Sequence, residues 1–215
     1  MSLTLHFHPL SSCCHKVLIG LYELDVPFEK HLVDLSNEAE RAELLKLWPI
    51  GKFPVLRDEA RGLNIPESSV ILAYLDQHHA GAARLIPADP DRARAVHLRD
   101  RFYDLYVHLP MQKIVGDKLR SEGQRDPYGV AQARAQLETS YAIADGELRG
   151  STWALGDAFT MADCSATPAL FFARKLVPFG DARPHLAAYF ERLTARPSVA
   201  RVLEEAEPYL ALFPG

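Results

Sequence analysis

The sequence predicts a small α/β domain followed by an all-helical domain, and three observations carry this. Roughly the first 80 residues alternate strand-like and helix-like patterns. The stretch His78 to Asp91, rich in Ala, Gly, Pro and Asp, then interrupts them, and everything beyond it has helical periodicity. A chain of 215 residues accommodates two such units, expected at 1–82 and 91–215 with a linker over 83–90.

The elements follow in order. Leu3, Leu5 and Phe7 alternate on one face of a short strand that His8-Pro9 ends, because proline lacks an N–H and restrains its neighbour. Ser11 and Ser12 precede a helix with Val17, Leu18, Leu21 and Leu24 on one side, closed by Asp25-Val26-Pro27. Phe28 to Val33 reads as a second strand and Asn37 to Trp48 as a polar surface helix. Val55 to Arg57 and Gly62 to Ile65 suit a hairpin turning across Asp58 to Arg61. Pro66-Glu67-Ser68 opens a helix with an apolar stripe of Val70, Ile71, Tyr74 and Leu75. Past the linker, Arg92 to Lys118 reads as one long helix bent near Pro110. Val130 to Leu148 follows, with Leu137, Tyr141, Ala144 and Leu148 on one face, and shorter helices cover Met161 to Lys175, Ala182 to Thr194 and Val199 to Ala206.

Composition narrows the function classes. A net charge of −4, with Lys and Arg scattered, gives no electrostatic footprint for nucleic acid. No apolar run reaches membrane-spanning length, and the opening MSLTLHFHPL lacks the basic region and apolar core of a secretory signal. Three cysteines, two of them adjacent at Cys13 and Cys14, make no disulfide framework; the expectation is a cytoplasmic protein. The histidines follow no zinc spacing, and neither a phosphate-binding loop, a dinucleotide fingerprint nor a GxSxG elbow occurs.

Chemistry gathers at three places. Ser11, Ser12 and Cys13 stand where a strand gives way to a helix, whose unpaired N–H groups and positive dipole end favour an anion such as a thiolate. A thiol of pKa about 8.5 ionises near neutral pH once roughly 1 to 3 kcal/mol is supplied, within reach of one hydroxyl donor plus the helix end. A plain N-cap serine fits the same positions. Cys13, at the same helix start, is an alternative redox nucleophile, while Cys14 and Cys164 suit the core. In Lys52-Phe53-Pro54-Val55-Leu56 the proline either starts a strand or, if cis, turns the polar backbone of Phe53 toward an extended peptide. Glu67 and Ser68, opening a helix, suit either an ordinary acidic first turn or a clamp, Glu67 for an ammonium and Ser68 for a carboxylate. Thr160-Met161-Ala162-Asp163 has capping-box spacing, a folding signal; Asp163→Ala is expected to cost on the order of 1 kcal/mol or more.

These pieces, together with Leu155-Gly156-Asp157-Ala158-Phe159 ahead of the capping box, resemble the cytosolic glutathione transferase family over essentially the whole chain. The resemblance implies a thioredoxin-like N-terminal domain, an all-helical C-terminal domain, glutathione as co-substrate and a homodimer. It implies that Ser11 is the catalytic serine of the theta and zeta type, and that Pro54 is a cis-proline presenting Phe53 to the cysteinyl part of glutathione. Ser12 joins this glutathione-binding set. Glu67 and Ser68 would hold the γ-glutamyl end and Lys52 a carboxylate. The Ser-Ser-Cys run resembles the zeta isomerases, but Cys14-His15-Lys16-Val17-Leu18 stands where that class shows Ser-Trp-Arg-Val-Arg. Beta and omega classes place cysteine here, which supports Cys13 and a thiol-disulfide exchange as the rival; a non-catalytic binding protein of the same fold is the other. The acceptor implied is a small hydrophobic electrophile held between the domains, with Tyr103, Tyr106 and His108 as candidate lining.

Overall fold

A computed structural model describes residues 3–81 and 83–214. The domain boundary expected at residue 82 falls outside the described residues. The N-terminal half runs β1 (Leu3–Phe7), α1 (Ser12–Glu23), β2 (Glu29–Leu32), α2 (Glu38–Leu47), β3 (Val55–Asp58), β4 (Leu63–Pro66) and α3 (Ser68–His78). The strands form one mixed sheet in the order β2-β1-β3-β4. β1 pairs parallel with β2, placing Phe7 beside Leu32, and antiparallel with β3, placing Leu5 beside Leu56. The central strands are buried where β2, on the edge, is exposed throughout.

The order of elements agrees with the sequence pattern, with one misplaced residue. Val70 was expected in the apolar stripe of α3 but is 53% exposed; Ile71, Leu72 and Leu75 form the buried face instead. A stripe of residues three and four apart faces one way, and 71, 72 and 75 satisfy that spacing with one member less. Gly20 brings α1 close to α3, since a methyl there would overlap Leu72 Cδ2.

The C-terminal half is helical: α4 (Pro90–Phe102), α5 (Leu109–Lys118), α6 (Pro127–Glu147), α7 (Met161–Ala173), α8 (Pro184–Ala195) and α9 (Pro197–Ala206). Every residue of α7 is buried, and it packs against both α1 and α4, so one continuous apolar core spans the two halves.

The single long helix expected over Arg92 to Lys118 is broken by a π-helical turn at Tyr103–His108, just ahead of Pro110. Proline cannot donate to the carbonyl four residues back and its ring crowds that carbonyl. The ladder widens to compensate, with the Leu109 N–H reaching the Asp104 carbonyl. The Tyr106 carbonyl, deprived of Pro110, accepts from the buried Ser140 hydroxyl of α6 at 2.8 Å. Ser140→Ala removes that donor, whose single proton the Gln136 carbonyl shares at 2.8 Å, and is expected to lower stability by about 1–2 kcal/mol, read from urea unfolding.

Candidate functional site

The loop from β1 to α1 is fixed by its own backbone and histidines. The Ser11 N–H donates to the His8 carbonyl at 3.0 Å, Leu10 N–H to His8 Nδ1 at 3.1 Å, and His15 Nε2 lies 2.5 Å from the Pro9 carbonyl. Burial pushes His15 down to about 4, so its ring stays neutral and donates to that carbonyl. Ser11 caps α1: its Oγ accepts from Cys14 N–H at 3.3 Å, which leaves the hydroxyl proton free to donate elsewhere.

An open cleft of about 390 Å³ lies beside this loop. Its walls bring together Ser11, Cys13, Lys52, Phe53, Pro54, Glu67 and Ser68, which the sequence scatters over three loops. The Phe53–Pro54 peptide is cis. The N-termini of α1 and α3 open here, an arrangement that favours anionic groups. Glu67, the residue before α3, has φ of +68°, a conformation that costs a residue with a Cβ of order 1–3 kcal/mol and is held only where the surroundings impose it. Ser12, alone among the residues expected in the first loop and the glutathione-binding set, stands back from the cleft; it is buried, with its Oγ 2.9 Å from His108 Nδ1.

The opposite wall comes from α4, the π turn and α5, through Arg101, Asp104, Leu105, His108, Leu109 and Gln112. Of the three helical-domain candidates, His108 lines the cleft. Tyr103 does not, being 2% exposed in the core, and Tyr106 points outward at 48%. The π turn is the reason: it shifts the phase of the helix within the segment, so a regular 3.6-residue count misassigns the faces.

Cysteine chemistry is disfavoured by the environment. Burial, with the Asp104 carboxylate beside it, pushes the Cys13 thiol up, and Lys16 opposes this only in part. Burial drives Cys14 to about 12, and Cys164 is likewise buried and raised. A raised thiol is a poor nucleophile near neutral pH because the thiolate is the reacting form.

A charge cluster that motif reading passes over runs from the cleft wall, at Arg101 and Asp104, into the core. Lys16 on α1 is 1% exposed, and its Nζ lies 2.6 Å from Asp100 Oδ1, 2.9 Å from Asp104 Oδ2 and 2.8 Å from Ser69 Oγ. Arg101 pairs with both aspartates, and the Ser165 hydroxyl donates to Asp100. Two cations against two carboxylates leave the cluster neutral, and it joins α1, α3, α4, the π turn and α7.

Comparison with known proteins follows the same division. The model described as glutathione S-transferase, N-terminal domain, matches residues 5–83, and that described as glutathione S-transferase, C-terminal domain, matches residues 102–197. The glutathione S-transferase GstB of Escherichia coli is 26% identical over 189 residues, covering 87% of this chain and 91% of its own. A glutathione S-transferase of Pseudomonas putida is 29% identical over 217 residues, covering 98% and 96%. A solved glutathione S-transferase from Methylobacterium radiotolerans, in complex with glutathione sulfonate, superposes with a TM-score of 0.82 at 27% identity, covering 94% of each chain.

Proposed function

Because the chain belongs to the glutathione S-transferase family, we propose that it binds glutathione in the cleft beside Ser11 and stabilises the thiolate for attack on a small hydrophobic electrophile. The observation that carries this is the convergence of Ser11, Lys52, Phe53, Pro54, Glu67 and Ser68 on one cleft with two helix N-termini. In this reading the Ser11 hydroxyl, already accepting from Cys14, donates its proton to the glutathione sulfur. The Phe53 backbone pairs with the cysteinyl residue of glutathione. Glu67 receives the γ-glutamyl ammonium while Ser68 and the α3 N-terminus receive its carboxylate, and Lys52 faces the far carboxylate. The acceptor lies against Leu105 and Leu109, the apolar part of the facing wall. The mechanism needs no covalent enzyme intermediate: the sulfur forms a bond to carbon as the leaving group departs or the double bond shifts.

The cytoplasm is the proposed location, and among the described residues no helix is long and apolar enough to cross a membrane. A homodimer is proposed as the working form; exposed Leu63 on β4 and Val70 on α3 supply apolar surface for such a contact.

Ser11→Ala is expected to raise the apparent thiol pKa of bound glutathione by about 1–2 units and to lower kcat/KM near neutral pH about tenfold to hundredfold. Conjugation of a panel of electrophiles, with bound glutathione titrated by calorimetry, reads both. Retained conjugation in Ser11→Ala combined with its loss in Cys13→Ala would transfer the chemistry to Cys13 and to thiol-disulfide exchange. Wild-type protein that fails to bind glutathione would instead favour a non-catalytic use of the fold.

A further inference from the structure

A cavity of about 320 Å³ lies apart from the cleft and shares none of its lining residues. It forms where the C-terminal segment, α9 and the 3₁₀ turn Glu207–Leu212, meets β1, β2 and α1. Phe7, Leu18, Val202 and Tyr209 give it apolar walls. Small-molecule sites span roughly 300–1,000 Å³, so the cavity has room for a compact ligand.

One polar atom in this apolar setting is without a partner. His15 also lines the cavity and is 1% exposed, and its Nδ1 has no hydrogen-bond partner among the described residues. The state of that nitrogen follows from the other one. Nε2 lies 2.5 Å from the Pro9 carbonyl, which can only accept, so Nε2 carries a proton. Burial keeps the ring neutral, with a single ring proton, and Nδ1 is therefore a bare lone pair. A buried acceptor left unpaired is costly and uncommon in native folds.

The charges on the same wall narrow the occupant. Lys30 and Glu205, both partly exposed, pair with each other at 2.6 Å, and Glu205 also accepts from the Tyr22 hydroxyl at 2.9 Å. The two charges that line the cavity cancel, so a charged ligand would find no free counter-charge there. What fits is neutral, apolar over most of its surface, and able to donate one hydrogen bond.

We propose that this cavity is a second binding site, for a small neutral aromatic molecule bearing one O–H or N–H donor, which His15 Nδ1 accepts. The apolar walls take the ring system, and the buried lone pair selects for the donor. The site is independent of what the cleft beside Ser11 binds.

The test is calorimetry near neutral pH with naphthol and fluoronaphthalene, alike in shape but with and without a donor, on wild-type protein, His15→Leu and Val202→Phe. Wild-type protein is expected to bind naphthol at least about tenfold more tightly than fluoronaphthalene. His15→Leu, which removes the lone pair, brings the two probes within about threefold of each other. Val202→Phe fills the cavity and weakens naphthol at least about tenfold. Equal affinity of the two probes for wild-type protein overturns the proposal, as does an absence of naphthol binding. Naphthol affinity unchanged in Val202→Phe puts the molecule elsewhere, the cleft included, and also overturns it. Should Val202→Phe not fold, Leu32→Trp, at an exposed position on the same wall, takes its place with the same expectation. Should His15→Leu not fold, the ratio of the two probes in wild-type protein decides, together with the cavity-filling variant.

Discussion

Lys16→Met is expected to destabilise the protein by about 3–5 kcal/mol, because it leaves two carboxylates inside the fold without their principal cation. An exposed ion pair contributes only about 0–1 kcal/mol, so burial decides the size of this effect. Lys16 and Asp100 are 1% and 2% exposed, whereas Arg101, the remaining cation, is 48% exposed and already committed to both aspartates. It cannot enter the space of the lysine ammonium, which also holds Ser69. Urea unfolding measures the loss.

The pH dependence of that loss follows from Asp100. Burial alone would raise its carboxyl, but Lys16, Ser165 and Ser69 outweigh burial and hold it below its ordinary value. A carboxyl depressed in the folded state contributes stability above its unfolded pKa and loses it as pH falls through the folded value. Without Lys16 burial prevails, the carboxyl moves up, and protonation relieves the unpaired charge. The deficit of Lys16→Met is therefore largest near neutral pH. It begins to shrink above the ordinary carboxylate range, as the raised carboxyl of the variant protonates, and shrinks further as the wild type loses its ion pair below that range. Adding Asp100→Asn removes one stranded charge, so the double variant should be more stable than the sum of the two single losses predicts. Simple additivity would mean that the cluster does not act as a unit.

The same cluster shows where sequence reading stops. Ser11, Pro54 and Glu67 are legible because each stands at a junction with a local signature: a serine before an apolar helix, a proline before a strand, an acidic residue opening a helix. Lys16 has none. It falls among Cys14, Val17 and Leu18 on a helix that is buried nearly all round, and its partners Asp100 and Asp104 are more than 80 positions away. Periodicity assigns faces within one element but cannot say which charge on another element will meet them. His108 is visible only as one of three aromatic or histidine candidates, since Pro110 announces a break but not the π turn that selects His108 over Tyr103 and Tyr106. The division into a mixed-sheet half and a helical half was legible for the opposite reason. Strand alternation, helix periodicity and punctuation by proline and glycine all agree along the chain, and agreement among local signals is what specifies a fold.

Asp163→Ala is expected to cost more than the loss of a cap alone, because the capping-box carboxylate has partners beyond the box. The capping-box spacing foretells one partner for this carboxylate, the Thr160 N–H, which lies 2.8 Å from Oδ2; the Thr160 hydroxyl adds a second donor to the same oxygen at 3.0 Å. The other oxygen accepts two more that no spacing reveals, Ala154 N–H at 2.8 Å and the Tyr189 hydroxyl at 2.7 Å. One fully buried carboxylate thus ties the loop before α7, the start of α7 and the middle of α8. Burial pushes its carboxyl up against all four hydrogen bonds, so its contribution is acceptance of donors rather than charge. Alanine leaves two backbone N–H groups and two hydroxyls without an acceptor, at about 1–3 kcal/mol for each that stays dry. The expected loss is about 3–5 kcal/mol, well above the 1 kcal/mol of an ordinary cap, because water can reach some of these groups once the side chain is gone. Asparagine keeps one acceptor but turns an NH₂ toward two donors, so Asp163→Asn should fall between wild type and alanine. A loss near 1 kcal/mol in Asp163→Ala, measured by urea unfolding, would mean that Ala154 and Tyr189 find other partners and that Asp163 is a cap and nothing more.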